Sequence, residues 1–93
     1  MIRSFRNKDT ERIWQGRRVR GLPADVQDRV LRKLRQLDAA ATMDDLRHPP
    51  GNRLESLQGK RLGQASIRMN DQWRICFRWA AGDVIDVKIV DYH

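Results

Sequence analysis

The chain has 93 residues, 40% hydrophobic and 33% charged, with a formal net charge of +7. That composition is globular rather than disordered, and no stretch approaches the roughly 20 apolar residues of a membrane span. The length suits one small domain, taken as 1–93, and the excess of cations points to a polyanionic partner, nucleic acid first. The charge is unevenly placed: residues 1–22 carry seven Lys/Arg against two acids, while residues 23–47 carry five of each. A basic N-terminal arm and a basic C-terminal half therefore flank a neutral middle. One cysteine, Cys76, excludes an internal disulfide and fits a reducing compartment. The opening MIRSFRNKDT lacks the apolar core of a secretory signal, so a cytoplasmic location is expected.

In chain order, Met1–Phe5 reads as a short opening strand, and Asp9 or Thr10 caps a brief helix through Ile13-Trp14. Arg17-Arg18-Val19-Arg20-Gly21 is a basic connector whose Arg17, Arg18 and Arg20 are candidate contacts for backbone phosphates. Pro23 suits the first turn of a longer helix running to about Ala40. Val26, Val30, Leu34, Leu37 and Ala41 recur at helical spacing and mark its buried stripe. Asp25–Arg29 and Asp28–Arg32 place acid four residues before base, which makes this helix structural. Thr42 caps a last turn through Leu46, ahead of His48-Pro49-Pro50-Gly51.

From Arg53 the period becomes that of a strand. Arg53–Leu57 leads into the basic turn Gln58-Gly59-Lys60-Arg61-Leu62-Gly63. Ser66–Trp79 then alternates, with Ile67, Met69, Trp73, Ile75, Phe77 and Trp79 on one face and Arg68, Arg74, Cys76 and Arg78 on the other. Matching the two apolar sets requires an odd register, most simply a three-residue loop at Asn70-Asp71-Gln72. Ile67 then faces Ile75, and Arg68 faces Arg74. Val84–Val90 alternates as well, with Ile85, Val87 and Ile89 as its apolar set. Setting Phe77 against Val87 and Ile75 against Ile89 leaves Arg78 opposite Asp86 and Arg74 opposite Val90. Helices early and antiparallel strands late predict an α+β fold, with the N-terminal strand and helices packed on one face of a mainly antiparallel sheet.

Like charges directly opposite on a sheet repel. Arg78 has Asp86 as a partner in this register, whereas Arg68 and Arg74 face no carboxylate. Residue 92 is the diagonal neighbour of Arg74, so two arginines, Tyr92 and His93 converge at one end of the sheet. Phosphate matches the planar guanidinium fork. The plain alternative is a solvated polar face with its arginines extended into water. If the two arginines only repel, removing the Arg74 charge leaves stability unchanged or slightly raised. Cys76, between Arg74 and Arg78, reads as a small strand filler.

Over essentially its whole length the chain resembles the HigB-type toxins, including the GraT-like members, of the RelE/ParE superfamily of bacterial toxin–antitoxin modules. The resemblance rests on Met1-Ile2-Arg3-Ser4-Phe5, Leu37-Asp38-Ala39-Ala40 and Pro49-Pro50-Gly51-Asn52-Arg53-Leu54-Glu55. It continues in Ser66-Ile67-Arg68, Asn70-Asp71-Gln72-Trp73-Arg74 and Asp91-Tyr92-His93. It implies a RelE/ParE-like fold and a ribosome-dependent endoribonuclease that cuts translated mRNA. It also implies a helix-turn-helix, HigA-like antitoxin, the complex binding its own operator DNA.

Carried over by position, Arg68, Arg74, Tyr92 and His93 match the family's catalytic residues. Attack by a ribose 2′-OH on its own 3′-phosphate needs a base, stabilisation of a charged phosphorane and an acid for the leaving oxygen. His93 is the first acid/base candidate, Arg74 assisted by Arg68 the phosphorane stabiliser, and Tyr92 a stacking or orienting group. Glu55 is a second acid/base candidate if its strand lies beside the site. Glu55, Gln58, Lys60 and Arg61, with Arg17, Arg18 and Arg20, are the RNA-contacting candidates. Glu55 and Gln58 stand where some relatives have a histidine and a lysine, which removes a titratable group and a charge. No cofactor is expected: His48, Cys76 and His93 are too scattered for a zinc pattern, and there is no P-loop. Two rival functions share the fold, a ParE-like inhibitor of DNA gyrase and a non-catalytic ribosome- or RNA-binding module.

Overall fold

Val26, Val30, Leu34 and Leu37 lie on one face of α2 (Ala24–Ala39) and are buried, the last three completely. The computed structural model describes residues 1–56 and 63–91. Among them α2 and the shorter α1 (Lys8–Trp14) pack on a sheet of β1 (Glu55–Ser56), β2 (Gln64–Arg68), β3 (Trp73–Ala80) and β4 (Asp83–Asp91). The sheet order is β1-β2-β3-β4, all antiparallel, which makes the expected α+β architecture. The core side of the sheet supplies Ile67, Ile75, Phe77, Val84 and Val87. Each buried aliphatic or aromatic side chain of this kind stabilises by about 1.5–3 kcal/mol.

Several expectations are adjusted by the structure. The cap of α1 is Asn7, whose side chain accepts from the Thr10 N–H at 2.9 Å, in place of Asp9 or Thr10. Thr10 is buried, and its hydroxyl accepts the Ile89 N–H at 3.1 Å, tying α1 to β4. The apolar stripe of α2 ends on Ala40, not Ala41, because the backbone turns extended at Ala40. Asp28 pairs with Arg18 at 3.0 Å, so the connector takes the role expected of Arg32.

The opening segment runs parallel to β4 through two isolated bridges, Ile2↔Val84 and Phe5↔Val87. The predicted strand is thus reduced to alternate pairings. The Ser4 hydroxyl accepts the Asp86 N–H at 2.9 Å between them. Asp86 has φ +54° and lies where the β3–β4 register slips between Cys76 and Arg78. This bulge replaces the expected Arg78↔Asp86 pair with Arg78↔Ile85, and sets Val84 opposite Trp79. Val84 rather than Ile85 is therefore the buried residue. The β3–β4 connection is the two-residue turn Ala81-Gly82 with φ +52° and +83°, the left-handed pair that matches the strand twist.

Thr42 caps the 3₁₀ turn Met43–Arg47, as expected, within a complete capping box closed by Asp45. Backbone N–H bonds from Thr42 and Ala41 hold the Asp45 carboxyl below its ordinary value of 3.8. A carboxyl held low in the folded state contributes stability above its unfolded pKa and loses it as pH falls through the folded one. The stability difference between wild type and Asp45→Ala is expected to be constant above about pH 5 and to shrink in more acid solution. Urea unfolding at stepped pH measures it; a difference that grows on acidification would contradict the assignment.

Candidate active site

The polar face of the sheet carries the groups singled out in the sequence. Asn70-Asp71-Gln72 forms the three-residue loop between β2 and β3, with the Asn70 side-chain oxygen accepting the N–H groups of Gln72 and Trp73 at 2.9 Å each. The loop sets Arg68 opposite Arg74 and Ile67 opposite Ile75. On the other side of β3, Ile75 faces Ile89 and Arg74 faces Val90. All four pairings are those inferred from the alternation.

The two arginines nevertheless do not point their charges at each other unrelieved. Arg68 folds back over the loop, where Nε donates to the Asn70 carbonyl at 3.2 Å and Nη2 pairs with Asp71. Arg74 turns towards β1. Its Nε donates to the Ser66 hydroxyl at 2.9 Å, and its Nη2 donates to the Arg53 carbonyl at 2.7 Å and the Ser66 carbonyl at 3.2 Å. Its Nη1 lies 3.8 Å from Glu55 Oε1. The expectation that neither arginine has a carboxylate is corrected: neither partner stands directly opposite, since Asp71 lies in the loop and Glu55 comes from the adjacent strand.

Arg74 is only 8% exposed. Burying a cation is tolerable where hydrogen bonds and a counter-charge compensate, and the same bonds fix the guanidinium plane. The resulting cleft, about 380 Å³, is lined by Arg53, Glu55, Arg68, Asn70, Asp71 and Arg74. Three guanidiniums and two carboxylates meet there. Such a cleft offers rigid donors to an anion and, in Glu55, an exposed carboxylate able to take or give a proton. Glu55 pairs with Ser66, which brings the strand of Glu55 beside Arg74.

The remaining candidates separate. Arg17, Arg18 and Arg20 line another groove with Asp9 and Arg12, none of which borders the Arg74 cleft. Arg18 is bound to the Ala24 carbonyl at 3.1 Å as well as to Asp28, so it braces the start of α2. Arg78 keeps Asp86 as its partner at 3.9 Å despite the bulge. Cys76 is half-buried and borders a polar-face groove with Arg78, Asp86 and Lys88. Gln58, Lys60, Arg61, Tyr92 and His93 lie outside the described residues.

Sequence reasoning missed the support of the cleft. Ser66 shares the polar face with Arg68 and Arg74, and that parity was a readable signal. Arg53 was read only as the start of a strand; in the structure it adopts a left-handed conformation with φ +43° and offers its carbonyl to Arg74. Asn52 is fully buried beneath it.

Residues 3–93 match the HigB-like toxin family, described as the RelE-like toxin of the type II toxin-antitoxin system HigB. The chain is 42% identical over 83 residues to "Toxin HigB-1" of Vibrio cholerae, covering 88% of this chain and 87% of that one. It is 32% identical over 93 residues to "Endoribonuclease HigB" of Proteus vulgaris, covering 100% of each. In fold it is similar to YafQ of Escherichia coli, with a TM-score of 0.61 at 13% identity over 99% of this chain and 92% of the other. It is also similar to a YoeB/ParE toxin from Agrobacterium tumefaciens, with a TM-score of 0.52 at 18% identity over 96% of each chain.

The bonding of Arg74 reverses the stability expectation drawn from its register. Arg74→Gln leaves buried acceptors on Ser66 and Arg53 unsatisfied and is expected to cost about 1–3 kcal/mol. Arg78→Gln breaks only an exposed pair and is expected to cost at most about 1 kcal/mol. Chemical denaturation of both variants tests this; equal losses would mean that Arg74 is held no more firmly than a surface arginine.

Proposed function

The chain belongs to the HigB-like family of RelE-like toxins of type II toxin–antitoxin systems, and on that premise we propose that it is an endoribonuclease acting on translated mRNA in the ribosome. The observation that carries the chemistry is the buried guanidinium of Arg74, locked by three hydrogen bonds with Glu55 beside it. A preorganised cation at the mouth of a cleft stabilises charge as it develops and needs no rearrangement at the moment of reaction.

In this reading the RNA lies with its scissile phosphate against Arg74 and Arg68. The 2′-OH attacks its own 3′-phosphorus as a base removes the hydroxyl proton. The O2′–P bond forms, negative charge collects on the phosphorane oxygens, and the guanidiniums take up that charge. The P–O5′ bond then breaks while an acid protonates the departing 5′-oxygen. Glu55 and His93 are assigned to the base and acid roles, with Tyr92 orienting the nucleotide. The Tyr92 and His93 roles rest on the family resemblance, and that of Glu55 on its place in the cleft. Gln58, Lys60 and Arg61 are assigned to the RNA path on the same resemblance. The products are a 2′,3′-cyclic phosphate and a 5′-hydroxyl, and no metal enters the scheme.

A type II toxin implies an antitoxin. We assign it a helix-turn-helix, HigA-like protein whose recognition helices carry the complex to operator DNA, the toxin acting in the cytoplasm where translation proceeds. The family match favours this reading over gyrase inhibition.

Three measurements test the reading. Cleavage of ribosome-bound mRNA should yield 2′,3′-cyclic or 3′-phosphate ends and persist when the toxin is stripped with EDTA before mixing; 5′-phosphate ends would indicate metal-activated water. Arg74→Gln is expected to lower the single-turnover rate by about 10²–10³, the scale of losing one transition-state donor. Deleting Tyr92 and His93 should abolish cleavage, and an undiminished rate in that truncation would remove the terminal pair from the mechanism.

A further inference from the structure

We propose that Asn52 is a positioning residue for the cleavage reaction, acting through the Arg53 carbonyl on the guanidinium of Arg74; this rests on the reading of Arg74 as the phosphate-binding group. Asn52 belongs to the segment Pro49-Pro50-Gly51-Asn52-Arg53-Leu54-Glu55, which supplies the Arg53 carbonyl and Glu55 to the cleft. It is fully buried although its side chain is an amide. Every polar atom of that side chain is engaged. Nδ2 donates to the Leu46 carbonyl at 3.1 Å, the His48 carbonyl at 3.2 Å and Gln36 Oε1 at 3.3 Å. Oδ1 accepts from Lys33 Nζ. The amide therefore joins α2, the Met43–Arg47 turn and the proline segment at one point.

The consequence falls on the next residue. The Arg53 N–H is held by the Pro50 carbonyl at 3.1 Å, and the Asn52 N–H by the Pro49 carbonyl at 2.9 Å. With its own N–H and that of Asn52 fixed, Arg53 adopts φ +43° and ψ +58°, a left-handed conformation uncommon for a non-glycine residue. That conformation presents the Arg53 carbonyl to Arg74 Nη2 at 2.7 Å. Two residues later the chain enters β1 at Glu55, 3.8 Å from Arg74 Nη1. One buried amide thus governs the placement of an acceptor for the central guanidinium and of the carboxylate beside it. An apolar residue would fill the space but could not hold three acceptors and one donor in register.

A residue that only stabilises the fold and one that aims Arg74 differ in how their loss combines with loss of Arg74. Single-turnover cleavage at saturating ribosome complex, well below the melting temperature, is measured for Asn52→Ala, Arg74→Gln and the double variant. Misaiming a group by a fraction of an ångström costs about 10- to 100-fold, so Asn52→Ala should lose that much in rate with little change in half-saturating concentration. In the Arg74→Gln background the same substitution should cost less than about 2-fold, since the group being aimed is gone. Equal fold-losses in the two backgrounds, or no loss in either, would overturn the proposal. Should Asn52→Ala not fold, Lys33→Met removes the donor to Oδ1 and carries the same cycle.

A readout independent of catalysis separates this proposal from the functional one. The Arg74 Nε–H, bonded to the buried Ser66 hydroxyl, should exchange slowly in ¹⁵N-resolved spectra of the full chain. Asn52→Ala should accelerate that exchange by at least about 10-fold, as expected when a local bonding network opens. Faster exchange in a protein whose wild type does not cut RNA would refute the functional reading, and with it the role in cleavage, while leaving the structural coupling of Asn52 to the Arg74 guanidinium standing. Unchanged exchange would refute the positioning role whatever the activity.

Discussion

A guanidinium buried to 8% exposure in a chain of 93 residues has to be supplied with acceptors by the rest of the fold. Arg74 receives them from β2, through Ser66, and from the residue that leads into β1, through Arg53, with Glu55 as counter-charge. Replacing any of these by a poor acceptor leaves a desolvated cation, which is worse than having no cation there at all. The hairpin sets where Arg74 enters the sheet, and the proline segment sets what it meets. The two-residue strand β1 is short for a strand, yet it borders the cleft because Glu55 pairs with Ser66.

The same constraint explains what was legible in the sequence. The β2–β3 hairpin was readable because period-two alternation and a polar three-residue loop leave one register that buries both apolar sets. That register places Arg68 and Arg74 together, so the centre of the site followed from local pattern alone. Its neutralisation did not, because Glu55 lies nineteen positions earlier on a strand whose pairing leaves no local mark, and Asp71 acts from inside the loop. The bulge at Asp86 was equally hidden: one inserted residue preserves alternation on each side while exchanging faces across it. Val84 displaced Ile85 from the core as a result. Asn52 shows no chemical role in the sequence, since an asparagine after Pro-Gly reads as a turn residue until its burial is known.

Charge is sorted by the sheet in a way that composition does not reveal. The face turned to the helices is apolar, while the opposite face gathers Arg68, Arg74, Arg78 and Lys88 with Asp86 among them. The connector arginines lie elsewhere and partly serve the fold, as Arg18 does in bracing α2. A net charge of +7 is therefore a sum over surfaces with different work. On the polar face Arg68 and Arg74 are held and partly desolvated, and cations so placed interact with an anion more strongly, and with less salt screening, than extended surface arginines do.

The exchange of an imidazole for Glu55 alters how such a cleft is balanced. A histidine beside Arg74 would bring a second group able to become cationic, whereas a carboxylate brings an anion to a cleft already holding three guanidiniums. That anion makes the burial of Arg74 easier and gives the cleft a proton acceptor, but it also opposes the approach of a phosphate. The opposition is limited by geometry: Glu55 is 61% exposed and stands at ion-pair distance without a close hydrogen bond, so it can yield its place when a better anion arrives. The acceptors that cannot yield are the carbonyls of Arg53 and Ser66, and these hold the guanidinium from the side away from Glu55's Nη1 contact. A site built this way keeps its cation aimed by backbone acceptors, whatever the state of the exposed carboxylate beside it.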